Sequence, residues 1–405
     1  MPSILEGIRV LDWTIFQQGP VATALLGDMG AEVIKIEELG VGDPARGMMK
    51  VIGAIISQSV GGRNAYYENN NRNKRCIALD LTKPQAKEII YQLVEKSDVF
   101  VQNFRKGVAE RLGMDYKTLS QYNSRLIYAS ASGWGPNGPD ASEPSADYTG
   151  IARSGIMSLA GEPDMPPQMV QGGLGDQTGA IMTAFGIVSA LLARERVGVA
   201  QELNASILGG LVYLQSVQVA MNLMAGVTNF RTYRAKAGNP LWNHYRCQDD
   251  KWIALSHLQP DKFWPNICKA MDICHLQNDP RFANLEARDK NRQEFIKILD
   301  GIFTTKTRDE WIKLFKENGV MYAKVNSFAD MKDDPQVIAN NYITEFDHPT
   351  GGKLKVMGHP IAFTKTPMKI QREAPEFGQH TEEILTEILG YSLEQIEELR
   401  GAEVI

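Results

Sequence analysis

The sequence predicts an α/β protein, a parallel-sheet domain joined to a smaller α+β domain, on three observations. Short apolar runs alternate with helix-patterned segments through the first 130 or so residues, as βαβ units do. At 405 residues the chain exceeds what one small core organises, so two domains are expected. After about residue 228 the alternation gives way to a hairpin followed by a run of helical segments.

The first unit is carried by residues 7–13 (GIRVLDW) and 31–37 (AEVIKIE), short apolar runs flanking a helix-patterned stretch at 21–29. The loop between strand and helix, Ile15-Phe16-Gln17-Gln18-Gly19-Pro20, lies outside the carboxyl end of a strand, where such sheets bind ligands. It holds no G-x-G-x-x-G, so dinucleotide binding is not signalled. Pro20 suits a first helical turn, where its missing N–H costs nothing. Residues 76–81 (CIALDL), 99–103 (VFVQN) and 126–131 (LIYASA) predict further strands, separated by helical pattern at 84–96, 108–112 and 116–122. Strands alternating with helices imply a parallel sheet covered on both faces. Residues 133–140 (GWGPNGPD) then form a loop by their turn chemistry, of the kind that reaches ligands from a sheet edge.

A glycine-dense turn, Gly172-Gly173-Leu174-Gly175-Asp176-Gln177-Thr178-Gly179-Ala180, places one acid at the head of a long apolar segment. Two readings of Asp176 are open. Unpaired backbone N–H groups and the positive end of a helix dipole keep a carboxylate there ionised and suit a nucleophile. Equally, aspartate is a preferred N-cap before any helix. The apolar run at 180–193 is shorter than the roughly 18 to 20 residues of a membrane span and predicts a buried core helix.

Residues 200–212 continue as strand then helix, with helical pattern again at 215–224. In the second domain a hairpin turns at Asp249-Asp250, and helices follow at 261–271, 291–303 and 308–317. A helix at Asp334-Pro335, a hairpin at Gly351-Gly352 and two helices at 381–389 and 392–400 lead back, the last opening on a Ser392–Gln395 capping box. The division is therefore 1–227, 228–327 and a returning 328–405.

Composition bounds the function. A net charge of -5 and pI near 5.8 offer no basic field for nucleic acid. Four scattered cysteines, Cys76, Cys247, Cys268 and Cys274, and the absence of a leader-like stretch before the first strand argue for a reducing, cytoplasmic setting. Cys268, Cys274 and His275 lack paired zinc spacing and read as small hydrophobes.

Seven stretches in order resemble one family, the class III (CaiB/BaiF-type) CoA-transferases, which include formyl-CoA, carnitine and 2-hydroxyacyl transferases. They are LDWTIFQQGP (11–20), AEVIKIE followed by GDPARG (42–47), NKRCIALDL (73–81), VQNFRKGVAERLG (101–113), SGWGPNGP (132–139), GLGD (173–176) and GQHTEEIL (378–385). The resemblance implies a Rossmann-like large domain, an interlocked homodimer, acyl-CoA and a free carboxylic acid as substrates, and no tightly bound cofactor. It places the family's nucleophile at Asp176 and implies a ping-pong route through an aspartyl anhydride and an aspartyl-CoA thioester.

Position by position, Phe16, Gln17 and Gln18 match the segment lining the CoA thioester end, with Gln17 orienting an acyl oxygen. Leu79 and Lys83 match the adenine side. Asn103, Phe104 and Arg105 match the stretch that meets the CoA phosphates, Arg111 a second basic contact, and Arg46 a further one. Asp147 and Tyr148 fall near the acyl site, and Met169, Trp242 and Tyr245 are candidate lining residues. Three departures stand out. Glu38 replaces an arginine that many members use for CoA. Residues 235–242 (AKAGNPLW) lack the glycine-rich loop of formyl-CoA transferase, which weakens oxalate or formate as substrates. Ala146 replaces the histidine of the racemase branch, and a methyl group cannot exchange a proton. The alternatives are a racemase-like isomerase and a non-catalytic acyl-CoA-binding subunit.

Overall fold

The computed structural model describes residues 2–47, 50–51, 54–55, 64–228 and 231–405. Its main sheet uses β1 (Arg9–Trp13) and β2 (Glu32–Glu38). A two-residue hairpin of β3 (Lys50–Val51) and β4 (Ala54–Ile55) stands apart from the sheet. The remaining strands are β5 (Lys74–Leu79), β6 (Val99–Gln102), β7 (Ile127–Ser132) and β8 (Glu202–Ser206). The six lie in the order β5-β2-β1-β6-β7-β8, every neighbouring pair parallel. Counted within the sheet that order is 3-2-1-4-5-6, the doubly wound arrangement, and the chain reverses direction of travel between β1 and β6.

Alternation along each strand feeds two cores. Leu11, Ile34, Ile36, Phe100 and Tyr128 point to one face with Ile89, Ile90, Leu93 and Val94. Val10, Val33, Val99, Val101, Ile127 and Ala129 point to the other, against Ala180, Ala184 and Ile187. The first face is covered by α3 (Pro84–Glu95), whose buried residues recur at 86, 89, 90, 93 and 94, the helical spacing of one apolar stripe. On the second face α1 (Gln18–Asp28) is almost wholly buried, which explains why the helix begins three residues before the predicted 21. Between α1 and α3 in sequence lies the short α2 (Ala65–Asn71). The predicted strand at 76–81 starts instead at Lys74, because that charge is accommodated inside the sheet's surroundings.

Lys74 and Asp12 are both inaccessible to solvent, with Nζ 2.7 Å from Asp12 Oδ2 and donating also to Pro20 O and Asn71 Oδ1. Burial pushes the Asp12 carboxyl up, but the ammoniums of Lys74 and Lys35 outweigh it and hold the group below its ordinary value. Removing one partner strands the other charge in a dry site. Lys74→Ala is therefore expected to cost about 3–5 kcal/mol in urea unfolding; a loss under about 1 kcal/mol would show the pair to be dispensable.

After the short α4 (Val108–Leu112), α5 (Tyr116–Leu119) and α6 (Asp147–Arg153) comes α7 (Leu174–Val197), 24 residues long. At 24 residues α7 has the length and apolar composition of a membrane span, which core helices of soluble proteins share, so the expectation of a run too short for a span is corrected in length alone. The run at 180–193 already holds Thr183, Gly186 and Ser189; the helix is longer because 174–179 before it and 194–197 after it are helical too. Nor is it a fully buried core helix. One face packs on α1 and the sheet, while Ile181, Phe185, Leu192 and Val197 are exposed. Next come α8 (Ile207–Leu214) and α9 (Ser216–Ala225), the latter burying no residue.

The chain divides into two compact units. The larger holds Met1–Met157, Met169–Val227 and Ile338–Ile405, the smaller Ser158–Gln168 and Thr228–Val337. Two boundaries thus differ from 228–327. Residues 158–168 join the smaller unit because Glu162 accepts from Arg234 N and Met165 O from Arg231. The return is later because Asn326 donates to Asp334 and so ties residues past 327 to the smaller unit.

The smaller unit has an antiparallel sheet of Trp242–Arg246, Trp252–Ser256 and Tyr322–Lys324. Its core gathers Tyr245, Phe303, Trp311 and Phe315 under helices Pro260–Met271, Arg292–Phe303 and Arg308–Glu317. Tyr245 is inaccessible, stacked on Phe303 and donating to Pro240 O, so it packs the core and does not line a pocket. In the larger unit the returning chain forms a hairpin of Ile343–His348 and Gly352–Met357 and helices Thr381–Glu387 and Leu393–Gly401. Ser392 and Gln395 make the expected capping box.

Candidate active site

The carboxyl ends of β1 and β6 meet where the sheet reverses its order, and the loops leaving them are tied together there. Asn103 Oδ1 accepts from Ile15 N at 2.9 Å while its Nδ2 donates to Ile15 O at 2.8 Å. Phe16 follows at φ +64°, the left-handed region that a bulky side chain seldom enters, and is partly exposed. Gln17 comes next and is buried. Its Oε1 accepts from the Tyr66 hydroxyl at 3.1 Å, which turns the amide nitrogen the other way. That nitrogen lies against the turn before α7, since a Cβ built on Gly173 would fall 2.4 Å from it. Glycine is required at 173 twice over, for this approach and for a φ of +70°.

Gly173 is the N-cap of α7 and supplies no side chain. The capping carboxylate is Asp147, from the first position of α6, whose Oδ1 accepts from Gly175 N at 2.7 Å and Asp176 N at 3.0 Å. Asp176 therefore sits in the first turn of the helix, at its third position, and is not its cap. Two of the expected spare N–H donors, those of Gly175 and Asp176, are engaged by Asp147, and the Asp176 carboxyl is raised rather than lowered, which corrects the expectation that the helix head keeps it ionised. Burial raises the Asp176 carboxyl from its ordinary 3.8 to about 7, and the charge of Asp147 adds to the rise. Asp147 Oδ2 is buried with no hydrogen-bond partner among the described residues. Tyr66 faces the same acids. Burial first, then the charges of Asp176, Asp43 and Asp147, hold its phenol well above the ordinary value, so it remains a donor to Gln17. A half-desolvated carboxyl poised near neutrality, beside an oriented amide donor, is the equipment of a nucleophile acting on a carbonyl.

The remaining predicted residues divide. Arg105 and Arg111 are exposed on the loop and helix that follow β6, and among the described residues neither is ion-paired. Phe104 packs its ring on Trp13, centroids 4.3 Å apart. Other candidates are occupied within the fold. Gln18 opens α1 and donates to Ser132 O and Ala205 O, its amide filling the space beside Gly179. Arg46 makes a two-pronged pair with Glu37 at 2.9 and 2.8 Å, lies over the Tyr67 ring and reaches Pro375 O. The Leu79 side chain is in the core and its carbonyl accepts from Leu39 N. Lys83 Nζ donates to Ala402 O and stands 3.8 Å from Glu403. Tyr66 and Asp43 carry no sequence signal of their role here. Tyr66 is 49 positions from Gln17, and the packing of α2 beside the loop after β1 brings them together.

The fold and site present a doubly wound sheet, an acid at a glycine turn and two exposed arginines past the switch point, and comparison with known proteins supplies the class of enzyme. The chain belongs to CoA-transferase family III, whose sequence model matches residues 5–381. It is 31% identical over 401 residues to succinyl-CoA:glutarate CoA-transferase of Mus musculus, covering 99% of this chain and 90% of that one. Formyl-CoA:oxalate CoA-transferase of Rhodopseudomonas palustris (strain BisA53) is 30% identical over 424 residues, covering 99% and 97%. Among solved structures, a CAIB/BAIF family protein from Brucella suis superposes with a TM-score of 0.83 at 27% identity, over 96% of this chain and 100% of that one. The protein is a class III CoA-transferase, an enzyme of acyl-CoA metabolism.

Proposed function

We propose that the enzyme moves CoA from an acyl-CoA to a free carboxylic acid by covalent catalysis at Asp176. The observation that carries this is the relief of Asp176 from capping by Asp147, which leaves a half-buried carboxyl of raised basicity with no structural partner in the described hydrogen bonds. In its ionised form Asp176 attacks the thioester carbonyl; the C–S bond breaks, giving an aspartyl anhydride and CoA thiolate. The thiolate then attacks the aspartyl carbonyl, forming the aspartyl-CoA thioester and releasing the donor's carboxylate. An incoming carboxylate reverses both steps. Every bond broken is replaced by one of similar kind, so the chain's own groups suffice without a tightly bound cofactor. Gln17 Nε2 offers a hydrogen bond to the acyl oxygen as it gains charge.

Arg105 and Arg111 hold CoA phosphates, which their exposure and fork geometry suit. Arg105→Ala is expected to raise KM for acyl-CoA about tenfold with kcat little changed; an unchanged KM would remove Arg105 from the CoA site. The working unit is an intertwined homodimer. The apolar stripe of Ile181, Phe185 and Leu192 on α7, with Val217, Leu223 and Met224 on α9, is the kind of surface a large obligate interface covers.

The test is a single turnover without acceptor. Mixing the enzyme with excess acyl-CoA labelled in the acyl group is expected to release about one equivalent of free acid per site in a burst. A route in which both substrates must be bound together gives no burst.

A further inference from the structure

The mechanism above uses Gln17 and Asp176 but not what holds the Gln17 turn in its unusual shape. Phe16 is among the few non-glycine residues at positive φ in the described chain, at +64°. Such a conformation in a bulky residue persists only where its surroundings over-determine it. Three side chains from separate parts of the chain do so. Asn103 grips Ile15 from both sides, and Asn70 Nδ2 reaches Phe16 O at 3.4 Å. The third, Asp43, is charged and fully enclosed. Its Oδ1 accepts from Phe16 N at 3.1 Å and Ala45 N at 2.9 Å.

Asp43 is itself immobilised. Its Oδ2 stands 2.9 Å from Lys35 Nζ, both side chains being inaccessible, and the same ammonium donates to Thr14 O at 2.8 Å. Behind it, Glu37 Oε2 accepts from Asp43 N at 2.9 Å, and Glu37 is clamped by Arg46 and Tyr67. The chain of contacts thus runs from β2 through Lys35 and Asp43 to the peptide between Ile15 and Phe16. Were Phe16 to relax to an ordinary negative φ, the direction of the chain at Gln17 would change, and its amide would leave the close fit over Gly173.

We infer that Asp43 is a positioning residue for CoA transfer: locked against Lys35, it fixes the left-handed turn at Phe16 and so aims the Gln17 amide at the head of α7. This rests on the roles proposed for Gln17 and Asp176. It also gives Arg46 a function, as the brace that holds Glu37 behind Asp43.

Asp43→Asn keeps the shape of the side chain. Either orientation of the new amide, however, sets an NH2 group against Lys35 or against the N–H groups of Phe16 and Ala45. The variant is expected to lower kcat about 10- to 100-fold while KM for acyl-CoA changes less than about threefold, the pattern of lost transition-state alignment. A purely structural ion pair would lower the melting temperature and leave kcat per folded enzyme unchanged, which would overturn the inference. Coupling sharpens the test. In a Phe16→Gly background, where glycine enters positive φ without strain, Asp43→Asn is expected to cost less than about threefold in kcat. Full additivity of the two substitutions would also overturn it. If Asp43→Asn does not fold, Asp43→Glu keeps the charge facing Lys35 but displaces the acceptor from Phe16 N; it must show the same kcat-selective loss, and normal kcat refutes the role. Trapping CoA on wild-type Asp176 is run alongside. Its absence would remove the proposed nucleophile, whereas its presence with an unaffected Asp43→Asn removes only the positioning role.

Discussion

Asp176→Ala is expected to abolish turnover, by at least about 10⁴-fold, in a protein that remains folded. The two halves of that statement come from different parts of the site. Turnover is lost because no other group at the head of α7 can form the acyl bond, and Asp147 already accepts two backbone hydrogen bonds. The fold persists because Asp176 caps nothing: the helix is capped by Asp147, so removing Asp176 exposes no N–H group. An N-cap aspartate behaves in the opposite way, losing about 1 kcal/mol of stability on truncation and leaving chemistry intact. Steady-state assays beside thermal melts separate the two, and substantial residual turnover would end the nucleophile's claim.

The second large effect is on pH dependence. Attack needs the ionised carboxyl, and Asp176 is raised to about 7, so kcat/KM for acyl-CoA is expected to climb through an acid limb near neutrality to a plateau above it. Asp147→Asn keeps an oxygen to accept from Gly175 and Asp176 but removes the neighbouring charge, so the limb moves to lower pH; an unmoved limb would show burial acting alone. The same rise has a sign for stability. Because the folded pKa exceeds the unfolded one, the folded state binds the proton more tightly between about pH 4 and 7. Stability therefore falls as pH rises through that window, and above it the ionised group costs up to about 4 kcal/mol. Asp176→Asn is expected to melt higher than wild type at pH 8, with the difference vanishing near pH 4. An equal melting temperature at both pH values would mean that Asp176 is not desolvated.

Much of this was legible beforehand, and what was not has identifiable causes. Strand runs such as 99–103 and 126–131 stand out because both faces of the sheet are covered and their residues are almost uniformly apolar. Lys74 broke that pattern, since periodicity cannot foresee a lysine neutralised by Asp12, 62 residues earlier. The turn at Asp176 announced an acid at a helix head. It could not announce that a carboxylate from α6 would take over the capping, which depends on tertiary placement. Arg46 and Gln18 carry internal hydrogen bonds that neither residue type nor position in sequence reveals, because forks and amides satisfy internal acceptors as readily as phosphates.

Covalent attachment of CoA to one carboxyl is the step on which the proposed transfer depends. Incubating the enzyme with acyl-CoA, quenching with hydroxylamine and mapping peptides by mass spectrometry measures this directly. A hydroxamate confined to Asp176, absent without acyl-CoA, is the predicted result. A modification at any other residue, or unmodified Asp176 in enzyme that still turns over, would contradict it.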